Sequence, residues 1–354
     1  MPDKNRFIEL ISDTATRPTE GMRLAMAAAE VGDEQRGEDP SVNRLCVRVA
    51  NLLGHEAGVY LPSGIMSNLI AMLVHCRPGD EIIGSAGNAH IIGSEGAGAA
   101  AIAGALISTI DTPDGRFSAA DVANRLRPHR ARTPRTSLVL VEQTSNKGGG
   151  TVWPAAQIAD IAETAHSGGA ALHMDGARLL NAAIASGCAP SAFSAHCDSA
   201  WLDLSKGLGC PVGSVLVGSK AFIEEAWVWK HRLGGAMRQA GIIAAAGLYA
   251  LDHHVERLAE DHANARRLAD GIRDLPGVKL VPDVIETNII FVDVADGGRT
   301  ATDVAADLLA AGVRVGAQSP SVLRAVTHLD VDAADIETAI RAFRAVFATD
   351  GPRK

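Results

Sequence analysis

Apolar residues along the chain fall into two kinds of segment. Short runs with few polar interruptions stand at 58–61, 80–84, 137–142, 170–175, 199–204 and 213–218. Runs of this length read as strands, the most apolar of them buried on both faces of a sheet. Between them apolar residues recur every three or four positions, the spacing of a helix with one buried face. A helix is predicted over 19–30, with Thr19 as N-cap and Met22, Ala25, Met26 and Ala29 on one side. A second is predicted with Ser41 as cap, running through Val42, Leu45, Val49 and Leu52. Further helices are predicted over 69–75, 119–126 and 154–167, and a small-residue helix and a strand within 96–110. The longest is predicted over 252–275, with Val255, Leu258, His262, Ala265, Leu268 and Ile272 near one face and Pro276-Gly277 as its stop. Strands are then predicted at 288–293, 313–315 and 322–327, and helices at 301–311 and 333–347. This alternation reads as α/β, without an internal repeat. At 354 residues the chain exceeds one minimal core. The predicted division is a large domain over 1–250 and a smaller one over 251–354.

Two apolar runs end in groups that carry chemistry. Lys206 follows the run 199–204 and sits among small residues, between Ser205 and Gly207. Partial burial there lowers the pKa of an amine and frees its lone pair for imine formation. Ser-Lys-Gly also occurs in ordinary loops, so the lysine alone decides little. Asp175 ends the run 170–175. A strand, an acid, a connecting helix, a strand and a lysine would bring both groups to one edge of one sheet. That pairing suits pyridoxal 5'-phosphate, with the acid on the ring nitrogen and the lysine holding the aldehyde carbon as a Schiff base.

Composition removes several alternatives. The chain is 47% hydrophobic and 21% charged, with a net charge of −8 and a pI near 5.8. It has no dense Lys/Arg block and only 4% aromatics, which argues against nucleic-acid binding. Five arginines between 125 and 135 read as a solvated linker rather than a ligand patch. The five cysteines are scattered without metal-ligand spacing, and no metal site is expected. Dispersed thiols, a polar start at residues 1–6 and no apolar run near the ~20 residues of a membrane span lead to the expectation of a cytoplasmic protein without membrane contact.

From Ser12 to about Asp332 the chain resembles the threonine aldolase branch of the fold-type I pyridoxal-phosphate enzymes. The resemblance implies a large domain with a mostly parallel, seven-stranded sheet flanked by helices, and a small C-terminal α+β domain. It also implies a homodimer or homotetramer with active sites at the subunit interface. The segment Pro62-Ser63-Gly64-Ile65 matches the family's phosphate loop, so Ser63, Gly64 and Ile65 are candidate cofactor contacts. A strand, a Ser-Gly turn and a helix N-terminus bind phosphate through backbone N–H groups and the helix dipole. The family has Thr where Ile65 stands, so one hydroxyl contact is lost. His90 falls where the family stacks a histidine on the cofactor ring, and its imidazole can transfer protons. Otherwise it would be a packing or surface histidine. Asp175, Ser205, Lys206, Arg178 and Arg238 complete the implied cofactor set, with Arg238 in a stretch that resembles the family's basic Gly-Gly-Gly-Met-Arg-Gln, here Gly234-Gly235-Ala236-Met237-Arg238-Gln239.

For the amino-acid substrate, Ser12, Arg178 and Arg324 match the family's carboxylate-binding serine and arginines. Ser12 read alone is a loop hydroxyl capping Thr14 or Ala15, and Arg178 a salt-bridge partner of a nearby acid. Arg36 replaces a family tyrosine in the loop Gly32-Asp33-Glu34-Gln35-Arg36-Gly37-Glu38-Asp39-Pro40. It would pair with a second anionic group of the substrate or remain a solvated surface charge. Ser145 replaces a family histidine near the substrate's β-hydroxyl; a serine can hydrogen-bond a hydroxyl but is a poor base at neutral pH.

The resemblance implies retro-aldol cleavage of a β-hydroxy-α-amino acid, such as L-threonine, L-allo-threonine or a more polar analogue, to glycine and an aldehyde. The alternative keeps the cofactor and changes the bond: β-elimination, transamination or racemisation. A third class, a dinucleotide-binding or purely interacting α/β protein, would leave Asp175, Lys206 and Arg324 structural. No Gly-x-Gly-x-x-Gly follows a strand at the required spacing.

Overall fold

A computed structural model describes residues 7–87 and 89–348. The described chain opens with β1 (Ile8–Glu9), α1 (Glu20–Ala27) and α2 (Pro40–Leu53). α1 starts as predicted: Thr19 Oγ1 accepts the Met22 N–H, a first-turn donor with no intrahelical acceptor. α2 is capped by Asp39, not by Ser41. Asp39 Oδ1 accepts from both Ser41 N–H and Val42 N–H. Pro40 fills the first helical position, where a missing N–H costs nothing. The Ser41 hydroxyl donates instead to the Glu30 carbonyl.

Next come β2 (Ala57–Leu61), α3 (Gly64–His75), β3 (Glu81–Ser85), α4 (His90–Gly93), α5 (Gly98–Ala101), β4 (Leu106–Ile110) and α6 (Ala119–Ala123). They are followed by β5 (Thr136–Glu142), α7 (Ala155–Ser167), β6 (Ala171–Asp175), α8 (Leu179–Ser186), α9 (Pro190–Ser194), β7 (Ser199–Asp203) and β8 (Ser214–Gly218). β2 to β8 form one seven-stranded sheet in the order β2-β8-β7-β6-β5-β3-β4. β8 is antiparallel to both neighbours, and every other neighbouring pair is parallel. This is the mostly parallel sheet expected.

β5 is buried at every position. Its alternate residues feed two cores, Val139 and Val141 on one face, Leu138 and Leu140 on the other, and each such side chain contributes about 1.5–3 kcal/mol by leaving water. The period of two is masked in the sequence because both faces are covered. Arg127 and Arg135, expected as part of a solvated linker, fold back onto the carboxylates of Glu81 and Asp80 at the start of β3.

α10 (Lys220–Arg232), α11 (Gly241–His253) and α12 (Leu258–Ile272) come after the sheet. The predicted helix over 252–275 is therefore two: α11 ends at His253 and α12 begins at Leu258. α11 was not predicted, because Gly, Ala and Leu residues pack most of its sides and no polar face marks its period. Beyond lie β9 (Lys279–Leu280), β10 (Ile289–Asp293), α13 (Ala301–Ala310), β11 (Val313–Arg314), β12 (Gly316–Ala317), β13 (Val322–Val326) and α14 (Ala333–Ala348). An antiparallel sheet, β12-β13-β10-β9, packs with residues of α12, α13 and α14 around a second core. β1 pairs in parallel with β11, and Leu10 lies in this second core. The segment that follows β1 thus bridges the two sheets, which places residues 12–14 over the carboxyl edge of the larger one.

Candidate active site

β5, β6 and β7 run parallel and each ends on an acid: Glu142, Asp175 and Asp203. Glu142 and Asp175 sit in register on neighbouring strands. Above this edge lies a cavity of about 320 Å³. Ten predicted residues meet in its wall: Ser12, Ser63, Gly64, Ile65, His90, Asp175, Arg178, Ser205, Lys206 and Arg324. A larger hollow of about 480 Å³ beside α2, lined by Glu34, Cys46, Glu56 and Trp227 among others, holds none of them.

Lys206 reaches this edge through a tight turn. Asp203 Oδ1 accepts the Ser205 N–H at 2.7 Å and its hydroxyl at 2.9 Å. Asp203 Oδ2 lies 2.7 Å from Lys206 Nζ. The chain then doubles back, with Leu204 N–H donating to the Gly213 carbonyl, into antiparallel β8. The indole of Trp201 lies against the start of α3, so closely that a Cβ on Gly64 would stand 2.2 Å from a ring carbon. Ser63 caps that helix by accepting the Met66 N–H.

Asp175 Oδ2 accepts from Asn68 Nδ2 at 2.8 Å and Oδ1 from the Ala177 N–H at 3.0 Å. Asn68 is a hub. Its amide also donates to Glu95 Oε1, and its Oδ1 accepts from Trp201 Nε1–H. That fixes His173 as donor from Nε2 to the same oxygen and as acceptor at Nδ1 from Ser199. Burial pushes the His173 imidazole down to about 3, so it stays neutral.

His90 Nδ1 lies 2.8 Å from Glu95 Oε1, and its backbone N–H donates to Glu142 Oε2. The hydrogen bond that His90 makes to Glu95 raises the His90 pKa above its ordinary value. Burial, then the charge of Asp175, push Glu142 up to about 7. Arg178 forms a two-pronged pair with Asp13, both bonds 2.7 Å. Burial works against the Asp13 charge, but the Arg178 guanidinium outweighs it and holds the carboxyl well below the carboxylate range. Asn146 Oδ1 joins two arginines, at 2.8 Å from Arg324 Nη2 and 3.5 Å from Arg178 Nη1. Burial, then the Arg178 charge, bring Arg324 down to about 10. Its Nε is buried without a hydrogen-bond partner.

Three predicted residues stand outside the cavity. Ser145 is turned away by a bridge to Thr151 and lines a separate small void with Phe117, Leu140 and Trp153; its neighbour Asn146 reaches the cavity instead. Arg36 has 73% of its side chain exposed and lies 3.7 Å from Asp33. Arg238 is also exposed and pairs with Asp33 at 2.9 Å. Ser12 lines the cavity while its hydroxyl also caps Thr14, so both readings of it hold. Sequence reasoning missed Asp13, Asn68, Glu142, Asn146 and Asp203. Glu142 and Asp203 carried the signal that found Asp175, an apolar run ending in a carboxylate. Asp13 and Asn68 carried none, because their partners lie 165 and 107 residues away.

Comparison with known proteins agrees with this geometry. Residues 9–296 match the beta-eliminating lyase family. The chain is 41% identical to the low specificity L-threonine aldolase of Escherichia coli strain K12, over 97% of this chain and 100% of that protein. It is 38% identical to low-specificity L-threonine aldolase 1 of Arabidopsis thaliana, over 97% of each. A solved structure of Leishmania major threonine aldolase superimposes with a TM-score of 0.80 at 20% identity, covering 96% of this chain and 99% of that one.

Proposed function

This chain belongs to the beta-eliminating lyase family, and on that premise we propose that it is a pyridoxal-phosphate-dependent aldehyde-lyase. It cleaves a β-hydroxy-α-amino acid such as L-threonine or L-allo-threonine, or a more polar analogue, to glycine and an aldehyde. The observation that carries the proposal is the convergence of Lys206, Asp175, Arg178 and Arg324 on one cavity.

The residues present fit the cofactor. Ser63, Gly64 and Ile65 begin α3, and first-turn N–H groups lack acceptors within a helix. They would hold the phosphate. Asp175, 1% exposed, would face the ring nitrogen, and Lys206 would hold the aldehyde carbon. Bound there, pyridoxal phosphate supplies an electron sink for charge developing at the substrate's Cα.

The chain's own groups do the rest. Arg178, Arg324 and Ser12 hold the substrate carboxylate. The buried, unpartnered Nε of Arg324 supports this, since an orphaned donor of that kind calls for an anion. Fixing the carboxylate fixes rotation about Cα and selects the Cα–Cβ bond for cleavage. His90 takes the proton of the side-chain hydroxyl. Arg36 and Arg238 belong, on this reading, to the interface of a homodimer or homotetramer. Both are exposed and both lean on Asp33. Among the described residues no helix is long and apolar enough to cross a membrane.

The test is product analysis beside a spectrum. L-Threonine should give glycine and acetaldehyde one to one, and a visible band should bleach with borohydride and be lost in Lys206→Ala. A keto acid instead of glycine would select the second reading, elimination or transamination, for which the withdrawal of Ser145 from the cavity is the observation in favour. A protein that stays colourless with added pyridoxal phosphate would overturn both.

A further inference from the structure

We infer that Glu95 is a positioning residue for proton transfer: its buried carboxylate holds His90 as the Nδ1–H tautomer and leaves Nε2 as the acceptor of the substrate's hydroxyl proton. The inference rests on the proposed aldolase reading for the identity of that proton, though the Glu95–His90 pair stands without it.

His90 is the one histidine lining the cavity among the described residues. Its side chain is 34% exposed, while that of Glu95 is 2% exposed. Glu95 Oε1 lies 2.8 Å from His90 Nδ1 and also accepts from Asn68 Nδ2 at 2.7 Å. Asn68 donates to Oε1, and an ionised Glu95 is an acceptor at both oxygens, so beside the carboxylate His90 donates from Nδ1. Among the described residues His90 Nε2 has no hydrogen-bond partner. Three acids bear on His90: Glu95, Glu142 and Asp175. Only Glu95 touches its ring, and Glu142 instead accepts the backbone N–H, which anchors the start of α4. Glu95 Oε2 is buried with no hydrogen-bond partner. A half-satisfied buried carboxylate is costly to keep. It is compensated when the imidazole beside it becomes charged, as a base must after accepting a proton.

In the step itself the hydroxyl O–H bond breaks and its proton moves to His90 Nε2. The electron pair left on oxygen closes the aldehyde C=O as the Cα–Cβ bond breaks. The pair from that bond stays with the glycine carbon, which takes up a proton before release.

The experiment compares wild-type holoenzyme with Glu95→Gln, Glu95→Asp, His90→Asn and the Glu95→Gln/His90→Asn double variant. Nitrogen-15 NMR of labelled histidine, assigned by the signal lost in His90→Asn, reads tautomer and titration midpoint without turnover. Wild type should show the Nδ1–H tautomer. Glu95→Gln should titrate at lower pH, its turnover should fall roughly 100-fold with KM little changed, and the acid limb of its pH–rate profile should move with the midpoint. Glu95→Asp, which keeps the charge, should restore the midpoint. The double variant should be no slower than His90→Asn, because Glu95 acts only through the ring. An unchanged midpoint in Glu95→Gln, or losses that multiply in the double variant, would overturn the inference. If wild type releases no glycine and aldehyde, the functional reading fails, and the NMR midpoint still decides the pair.

Discussion

Among the described residues two ion pairs lie fully buried, and they differ in what remains after pairing. Lys230 and Glu34 join α10 to the loop before α2, with side chains 0% and 1% exposed. Glu34 Oε2 also accepts the Met237 N–H, and the Lys230 ammonium sits 4.3 Å from the centre of the Trp227 ring. Charge is balanced and both groups are engaged. Arg178 and Asp13 are as deeply buried, at 3% and 0%. Here a second cation, Arg324, stands beside the pair, tied only through Asn146, with one N–H unmet. This cluster keeps a positive charge in excess and opens onto a cavity. Burial alone therefore marks neither pair as functional. On the proposed reading the uncompensated remainder does, because a buried charge left unpaired is costly until a ligand completes it.

The largest expected effect comes from Arg178→Met. It strands Asp13 without its cation, so stability measured by urea denaturation should drop about 3–5 kcal/mol, and glycine release should vanish. Lys230→Met should cost a comparable amount of stability and leave kcat within about twofold, with Lys230→Met/Glu34→Gln recovering most of the loss. A collapse of kcat in Lys230→Met would break the comparison. Arg324→Met removes the surplus itself. KM should rise roughly 10- to 100-fold, the worth of a charged hydrogen bond, while stability holds or rises slightly. A clear loss of stability there would show the charge to be structural.

The smallest effect sharpens the contrast from the acid side. Asp13 has a cation and its pKa is held low, whereas Glu142 has only N–H partners and the neighbouring Asp175, and burial raises it from 4.5 to about 7. A carboxyl raised on folding stabilises fully below its ordinary value and loses that contribution as pH climbs through the folded value. The stability of wild type relative to Glu142→Gln should thus decline between about pH 4.5 and pH 7, as urea denaturation at pH 5 and pH 8 would read. A flat difference would mean that Glu142 is ionised throughout.

The fold was largely legible because strands buried on both faces announce themselves as apolar runs, and all seven strands of the large sheet lie within or against predicted segments. α11 was not, since a helix wrapped by other elements loses the polar stripe that reveals its period. At the site, Asp175 and Lys206 were legible because adjacent parallel strands deliver their ends to one place. Ser145 was misplaced by a single residue: position after a strand says which stretch arrives, and the local bridge to Thr151 decides which side chain turns inward. Asn68 and Asp13 were illegible for a different reason. Each works through partners remote in sequence, and Asn and Asp are too common in loops for either to stand out unaided.

The pairing of β1 with β11 has a consequence for the chain while it is being made. Asp13 leaves the ribosome before Arg178, and Arg324 emerges last of the three. A nascent chain that has completed its seven-stranded sheet still lacks β11 to hold β1, and with it the latch that draws Ser12 and Asp13 over the strand ends. The proposed carboxylate clamp is thus assembled only once β11 and Arg324 have been made, and a shorter nascent chain carries the lysine without that clamp.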